Sequence, residues 1–184
     1  MLPSASSPAT LRLFFALWPD GAMRERLARH QALWPWAPPA RATPENKLHL
    51  TLLFMDGVQA DQLGAVRALG EEVSHGWTDF DLLLDRAAVW RHGGIAHLAP
   101  SQVPPGLRDL HTRLATLAAL RGLPFDSRPY APHVTLGRRA ETLTPPATFT
   151  PLHWPVRGFA LVHSVLGTGR YDVLGRWPRE RRGQ

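Results

Sequence analysis

His49-Leu50-Thr51-Leu52 and His133-Val134-Thr135-Leu136 are two copies of one pattern, His-x-Thr-x, set 84 residues apart in a chain of 184. Each sits in a β-like run, residues 48–54 and 133–137. Side chains two apart in a strand share a face. Each copy therefore presents one imidazole and one hydroxyl together, with Leu50 and Leu52, or Val134 and Leu136, turned the other way. Two imidazoles across a cleft form an acid–base pair. Histidine titrates at ~6.5 when unperturbed, so near neutral pH one ring can take a proton from water while the other gives one to a leaving alkoxide. Each role is typically worth ~10²–10⁴-fold in rate. The threonine hydroxyls can donate to anionic oxygens between the rings, and a phosphodiester supplies such oxygens. Neither copy contains a carboxylate or cysteine that would point to a metal cage or a covalent nucleophile. A lone histidine in an apolar strand is more often packed and hydrogen-bonded than catalytic, and it is the repetition of both polar residues in register that favours chemistry. The other seven histidines (His30, His75, His92, His97, His111, His153, His163) lack the pattern and are read as surface or satisfied interior positions. Of these, His97 and His163 lie in runs that could approach the cleft.

Two copies at about half the chain length call for two similar lobes and for strands to carry them. Residues 11–17 read as a strand. A helix over 20–34 follows, with Asp20 as N-cap and Met23, Leu27 and Leu33 as its apolar stripe. The Pro-rich stretch 34–44 reads as a surface loop leading into the first motif strand, 47–54. A helix over 60–74 places Leu63, Val66, Leu69 and Val73 on one face. Strands over 79–90 and 95–99 flank the turn Arg91-His92-Gly93-Gly94. The helix 104–121 carries a leucine stripe and stops at Gly122. After the second motif strand come strands over 155–166 and 169–174 around Gly167-Thr168-Gly169. This order predicts an α+β fold with two lobes in one domain, residues 11–184, behind a loose tail over 1–10.

Lys+Arg outnumber Asp+Glu by 21 to 15, and the pI is ≈ 11.1. Lys47 is the only lysine, so the positive charge is almost all arginine, whose fork matches phosphate oxygens. A basic surface suits RNA, although a basic tail (Arg176, Arg179, Arg181, Arg182) accounts for part of the excess. No cysteine is present, which removes disulfides and cysteine-based zinc sites. Residues 1–10 lack a charged leader region, and the apolar run 11–18 is too short to span a bilayer, so a soluble, cytoplasmic protein is expected. Near the motifs, Arg138 and Arg128 are candidates to hold phosphate, with surface ion pairing as the alternative. Tyr130 and Trp90 could stack on a base, and Phe54 follows the first motif; core packing is the favoured reading of all three aromatics.

The motifs, with Leu11-Arg12-Leu13-Phe14-Phe15-Ala16-Leu17, Asn46-Lys47-Leu48 ahead of the first copy, Arg128-Pro129-Tyr130-Ala131-Pro132 ahead of the second, and Ser164…Tyr171…Leu174, resemble the two-histidine phosphoesterase superfamily. More narrowly they are similar to the RNA 2′,3′-cyclic phosphodiesterases once called 2′-5′ RNA ligases. The likeness covers residues 11–178. Met55-Asp56-Gly57 and His163 before Ser164 depart from the usual pattern. The resemblance implies a bilobal pair of pseudo-symmetric antiparallel sheets facing a central groove, helices outside. It implies hydrolysis of RNA 2′,3′-cyclic phosphate ends to 2′-phosphates, with His49 as proton donor and His133 as proton acceptor. Thr51, Thr135, Arg138, Arg128 and Tyr130 would bind substrate, with no metal and no cofactor. The partner would be RNA with a cyclic phosphate terminus, tRNA fragments among the candidates, and the protein a monomer. Spacing alone cannot tell donor from acceptor, because the motifs are pseudo-symmetric. Run backwards with a 5′-hydroxyl in place of water, the same site would form a 2′-5′ linkage. Three alternatives remain: a phosphodiesterase of small cyclic-phosphate nucleotides, an RNA-binding module without chemistry, and a metallohydrolase built on the histidine pair.

Overall fold

The computed structural model describes residues 10–178. The expected tail, apart from Thr10, and the basic residues Arg179, Arg181 and Arg182 lie outside the described residues. The strands are β1 (Thr10–Leu17), β2 (Arg41–Ala42), β3 (Leu50–Gln59), β4 (Phe80–Leu84), β5 (Arg86–Trp90), β6 (Ile95–Ala99), β7 (Val134–Arg138), β8 (Leu152–Val156), β9 (Phe159–Val165) and β10 (Arg170–Trp177). The helices are α1 (Gly21–Gln31), α2 (Leu63–Ser74) and α3 (Pro105–Leu120). The fold is α+β. Asp20 caps α1 as expected, its carboxylate accepting from the Met23 N–H at 2.8 Å. Thr10 already belongs to β1 rather than to a tail, and Arg176 lies in β10.

The main sheet runs β10-β9-β1-β3-β7-β6-β5, with β2 on the edge of β7, and every pairing is antiparallel. Its centre is thin: β3 and β7 meet at the single pair Leu50–Val134. The sheet is thus two antiparallel arrays, β10-β9-β1-β3 and β7-β6-β5 with β2, joined immediately after the two motif histidines. Past that pair no strand among the described residues lies beside the edge of β3, and its carbonyls find other donors. The Thr51 carbonyl accepts from the Tyr130 hydroxyl at 3.3 Å, the Leu52 carbonyl from His111 Nδ1 at 2.8 Å, and the Phe54 carbonyl from the Asp126 N–H at 2.8 Å. Capping this edge keeps the two motif strands apart without orphaning backbone groups.

One face of the sheet is covered by the helices. Met23 and Leu27, Val66, Leu69 and Val73, and Leu107, Leu110 and Leu114 pack in a core with Leu13, Phe15, Leu50, Leu52 and Leu161. Each such buried side chain contributes ~1.5–3 kcal/mol. The other face carries Phe14, Ala16, Ala160 and Val162. The first strand is therefore buried on both sides, which is why Leu13 through Leu17 read as one continuous apolar run.

Two expected strands are each cut in two. The run 79–90 breaks at Asp85: β4 pairs with β8 in a separate two-stranded sheet, while β5 pairs with β6. The Asp85 carboxylate accepts the Ser101 N–H at 2.6 Å and the Ser101 hydroxyl at 2.5 Å, fixing the corner. The run 155–166 breaks at Arg157-Gly158, where a Cβ on Gly158 would lie 2.4 Å from the Trp177 carbonyl oxygen. The loop expected over 34–44 contains β2. Among the described residues, no helix is long and apolar enough to cross a membrane.

Candidate functional site

The strand β3 does not alternate evenly. Its register with β1 slips between Phe15–Leu53 and Ala16–Thr51, leaving Leu52 as a bulge. Leu52 and Leu53 both enter the core, while Thr51 and Phe54 stay on the groove side. Each motif histidine lies one residue before its strand proper, at the point where β3 and β7 come together. On α1, buried Gln31 donates through Nε2 to the Thr43 carbonyl at 2.8 Å and the Leu136 carbonyl at 2.6 Å. That link ties the approach to the first motif to the strand of the second.

The two imidazoles are anchored the same way. His49 Nδ1 donates to the Lys47 carbonyl at 2.6 Å, and His133 Nδ1 donates to the Ala131 carbonyl at 2.8 Å. Each ring thus uses the carbonyl two residues back, which fixes the tautomer and leaves Nε2 for the groove. His49 Nε2 accepts from the Thr51 hydroxyl at 3.1 Å. Both histidines and both threonines line one cavity of about 680 Å³, together with Phe14, Phe54, Ser164, Tyr171 and five cationic side chains.

Each ring has an aromatic wall. His49 stacks on Phe14 (4.7 Å between centroids) and Trp18 (5.6 Å), with the Tyr171 edge at 5.8 Å. His133 meets Trp90 edge-on at 4.4 Å and His97 at 5.7 Å. The apolar packing has an electrostatic consequence. Burial first, then the positive surroundings of His133 and Arg138, push His49 down to about 4, against an upward pull from the Lys47 carbonyl. His133 is also lowered, chiefly by burial, with the Ala131 carbonyl opposing and Arg138 adding. The expectation of one charged and one neutral ring near neutral pH thus shifts: in the empty groove both rings favour the neutral form more than a free imidazole does, because burial penalises the charged form and the nearby Arg138 adds to it.

Arg138 lies at the end of β7 in the groove wall, where its charge is felt by both rings. Arg128 sits beside an adjoining cavity that reaches His133 and Thr51, and is exposed and clamped on the Asp126 carboxylate. Tyr130 lines the same cavity, but one face of its ring is taken by His111 at 3.9 Å, and burial raises its phenol. The favoured core reading of Trp90 does not hold: it is 40% exposed and forms the wall beside His133. His97 is 4% exposed and is the strand partner of Thr135, its Nδ1 donating to the Ile95 carbonyl at 3.2 Å. His163 lies one residue from Ser164 and so on the opposite face of β9. Phe14, Trp18 and Tyr171 were invisible as site residues because pattern reads them as core or hairpin. Only the pairing of β1 with β3 could have placed Phe14 beside the first motif. Among the described residues no group of three or more His, Cys, Asp or Glu is placed to hold a metal.

This arrangement can take a proton at one Nε2, give one at the other, and hold an anion between two hydroxyls and a guanidinium. A family model described as the 2′-5′ RNA ligase superfamily matches residues 23–167. The chain belongs to that superfamily. An RNA 2′,3′-cyclic phosphodiesterase of Escherichia coli (strain K12) is 33% identical over 169 residues, 90% of this chain and 95% of the relative. One from Thermus thermophilus is 31% identical, over 85% of this chain and 83% of the relative. The crystal structure of E. coli LigT complexed with 3′-AMP superposes with a TM-score of 0.78 at 32% identity, covering 92% of this chain and 98% of that one. The likeness to these superfamily members takes in both motif strands and both halves of the main sheet.

Proposed function

We propose that this protein hydrolyses 2′,3′-cyclic phosphate ends of RNA to 2′-phosphate ends by metal-independent acid–base catalysis. The observation that carries the reading is the matched anchoring of His49 and His133, which turns both Nε2 atoms toward one groove with Thr51 and Thr135. Membership of the superfamily and the names of the relatives support the substrate class. Water attacks phosphorus and passes its proton to His133 Nε2. The bond from phosphorus to O3′ breaks, and His49 Nε2 gives its proton to that oxygen. The product is a 2′-phosphate beside a free 3′-hydroxyl. Thr51, Thr135 and Arg138 stabilise the charge that gathers on the non-bridging oxygens, where preorganised donors act most strongly. The donor role of His49 and the acceptor role of His133 follow the family resemblance, since the two rings are anchored alike and both are lowered chiefly by burial; the anionic substrate supplies the charge that lets the donor be protonated. Arg128 and Tyr130 border the cavity beyond His133, suited to the nucleoside. Both motifs come from one chain, so a monomer forms the whole site within one two-lobed domain, and the RNA ends, tRNA fragments among them, would be met in the cytoplasm. The reading is tested by assigning the phosphate position in the product of a cyclic-phosphate oligonucleotide. A 3′-phosphate would refute the roles given to the two rings.

A further inference from the structure

The groove is more positive than one cyclic phosphate needs. A cyclic phosphodiester carries one negative charge, and Arg138 with a protonated imidazole already offsets it. Yet Arg12, Arg41, Lys47 and Arg139 line the same wall, and no Asp or Glu is among the described lining residues. Two of these are occupied: Arg12 pairs with Asp56 at 3.0 Å, and the Lys47 ammonium lies over the Tyr171 ring at 5.1 Å. Arg41 and Arg139 are not. Neither forms a salt bridge with a described residue.

Their placement is built by the backbone. The strand β2 is two residues long and serves to set Arg41 opposite Arg138 and Ala42 opposite Gly137 on β7. It takes the edge of β7 that β3 occupies at Val134, four residues further along. At ~3.3 Å per residue this puts Arg41 ~13 Å along the strand from the point where the motifs meet. Arg139 follows β7 with φ 55°, the left-handed region that a residue with a Cβ seldom adopts, and it is the one such non-glycine residue described. The turn is held by the Ala140 N–H, which donates to the Gly94 carbonyl at 3.0 Å. Arg41, opposite Arg138, and Arg139, next to it, therefore stand at the end of the groove farther from the Leu50–Val134 junction, beyond the guanidinium whose charge both imidazoles feel.

Resting on the phosphodiesterase reading, we infer that Arg41 and Arg139 form a second phosphate subsite, which holds an internucleotide phosphate of single-stranded RNA upstream of the terminal cyclic one. The subsite makes the protein select oligonucleotides over mononucleotides. Arginine suits this role because its fork meets two phosphate oxygens at once. The phosphates of a free nucleotide share this chemistry, and the test separates the two sources.

Calorimetry would measure binding of a 2′-phosphorylated dinucleotide, the matching mononucleotide and ATP across a salt series, to the wild type and to an Arg41→Ala/Arg139→Ala variant. The dinucleotide should bind the wild type about tenfold more tightly, the scale of one charge-assisted contact. Its dependence of log affinity on log salt should be steeper by ~0.7 for the one added phosphate. The variant should lose both differences, and an Arg41→Lys/Arg139→Lys variant should keep part of the salt slope. Equal binding of the two ligands by the wild type would overturn the subsite even if no variant folded. So would a gap that survives the substitutions, or an equal loss for both ligands. Weakened ATP binding with the dinucleotide gap intact would assign the arginines to a free nucleotide and refute the RNA assignment. Nothing is cleaved in this assay, so failure to hydrolyse a cyclic end counts against the phosphodiesterase reading alone.

Discussion

Binding of a phosphate anion should return the His49 proton. In the empty groove His49 is held at about 4, largely by burial against Phe14 and Trp18. Against an ordinary value of ~6.5, at ~1.4 kcal/mol per pH unit, the protonated ring is disfavoured by ~3 kcal/mol. A unit negative charge ~4 Å from the ring supplies ~4 kcal/mol at an effective dielectric of ~20. The anion therefore offsets the whole penalty, and His49 should titrate near or above ~6.5 when the groove is filled. By linkage, the affinity for the anion should rise as pH falls from ~6.5 towards ~4. Histidine ring resonances followed by NMR against pH, with and without a 2′-phosphorylated mononucleotide, measure this directly. The same shift places the maximum of kcat/KM, which reports the free protein, on the acid side of the maximum of kcat. A His49 that titrates near ~6.5 without ligand, or does not move upward with it, would refute the argument.

His49→Ala and His133→Ala should each lower kcat by ~10²–10⁴-fold with the fold retained by circular dichroism, and the double variant should lose far less than the product of the two. Thr51→Val and Thr135→Val should lower kcat by the equivalent of ~1.5–3 kcal/mol each, the range for a hydrogen bond to a charged group; steady-state constants unchanged in both would make the hydroxyls structural. Gly137→Ala should destabilise the fold, since its Cβ would lie 2.4 Å from the Trp36 ring and 2.8 Å from the Arg41 carbonyl oxygen. Overpacking of this kind costs ~1–3 kcal/mol, and thermal unfolding should show a drop of ~2–4 °C for each kcal/mol.

The candidate site of this chain was legible in sequence because it repeats. Two His-x-Thr copies marked, without any knowledge of the sheet, four side chains that line one groove, and the apolar stripes of α1, α2 and α3 placed the helices to within a few residues. What stayed hidden depends on long-range partners. Asp85 cuts a run that looks continuous, because only the positions of β8 and β6 decide which sheet each half joins. Arg41 and Ala42 form a strand only because β7 offers a free edge there. The aromatic walls are of the same kind. Phe14 reads as a core residue of a buried strand, and core packing is the favoured reading of Trp90, until the pairings of β1 with β3 and of β6 with β7 bring them to the imidazoles. The lowered His49 follows from that hidden packing, so the sequence suggested an acid–base pair near neutrality where the structure holds both rings below their ordinary value, chiefly by burial.

In the proposed mechanism two imidazoles in one groove open a cyclic phosphate without a metal. The most direct measurement is incubation of the purified protein with an oligoribonucleotide ending in 2′,3′-cyclic phosphate, in the presence of a chelator, followed by assignment of the phosphate position by ³¹P NMR. Turnover should be undiminished by the chelator and yield a 2′-phosphate product, and that product should be lost with His49→Ala or His133→Ala. An intact cyclic end, a 3′-phosphate, or activity abolished by the chelator would contradict this mechanism.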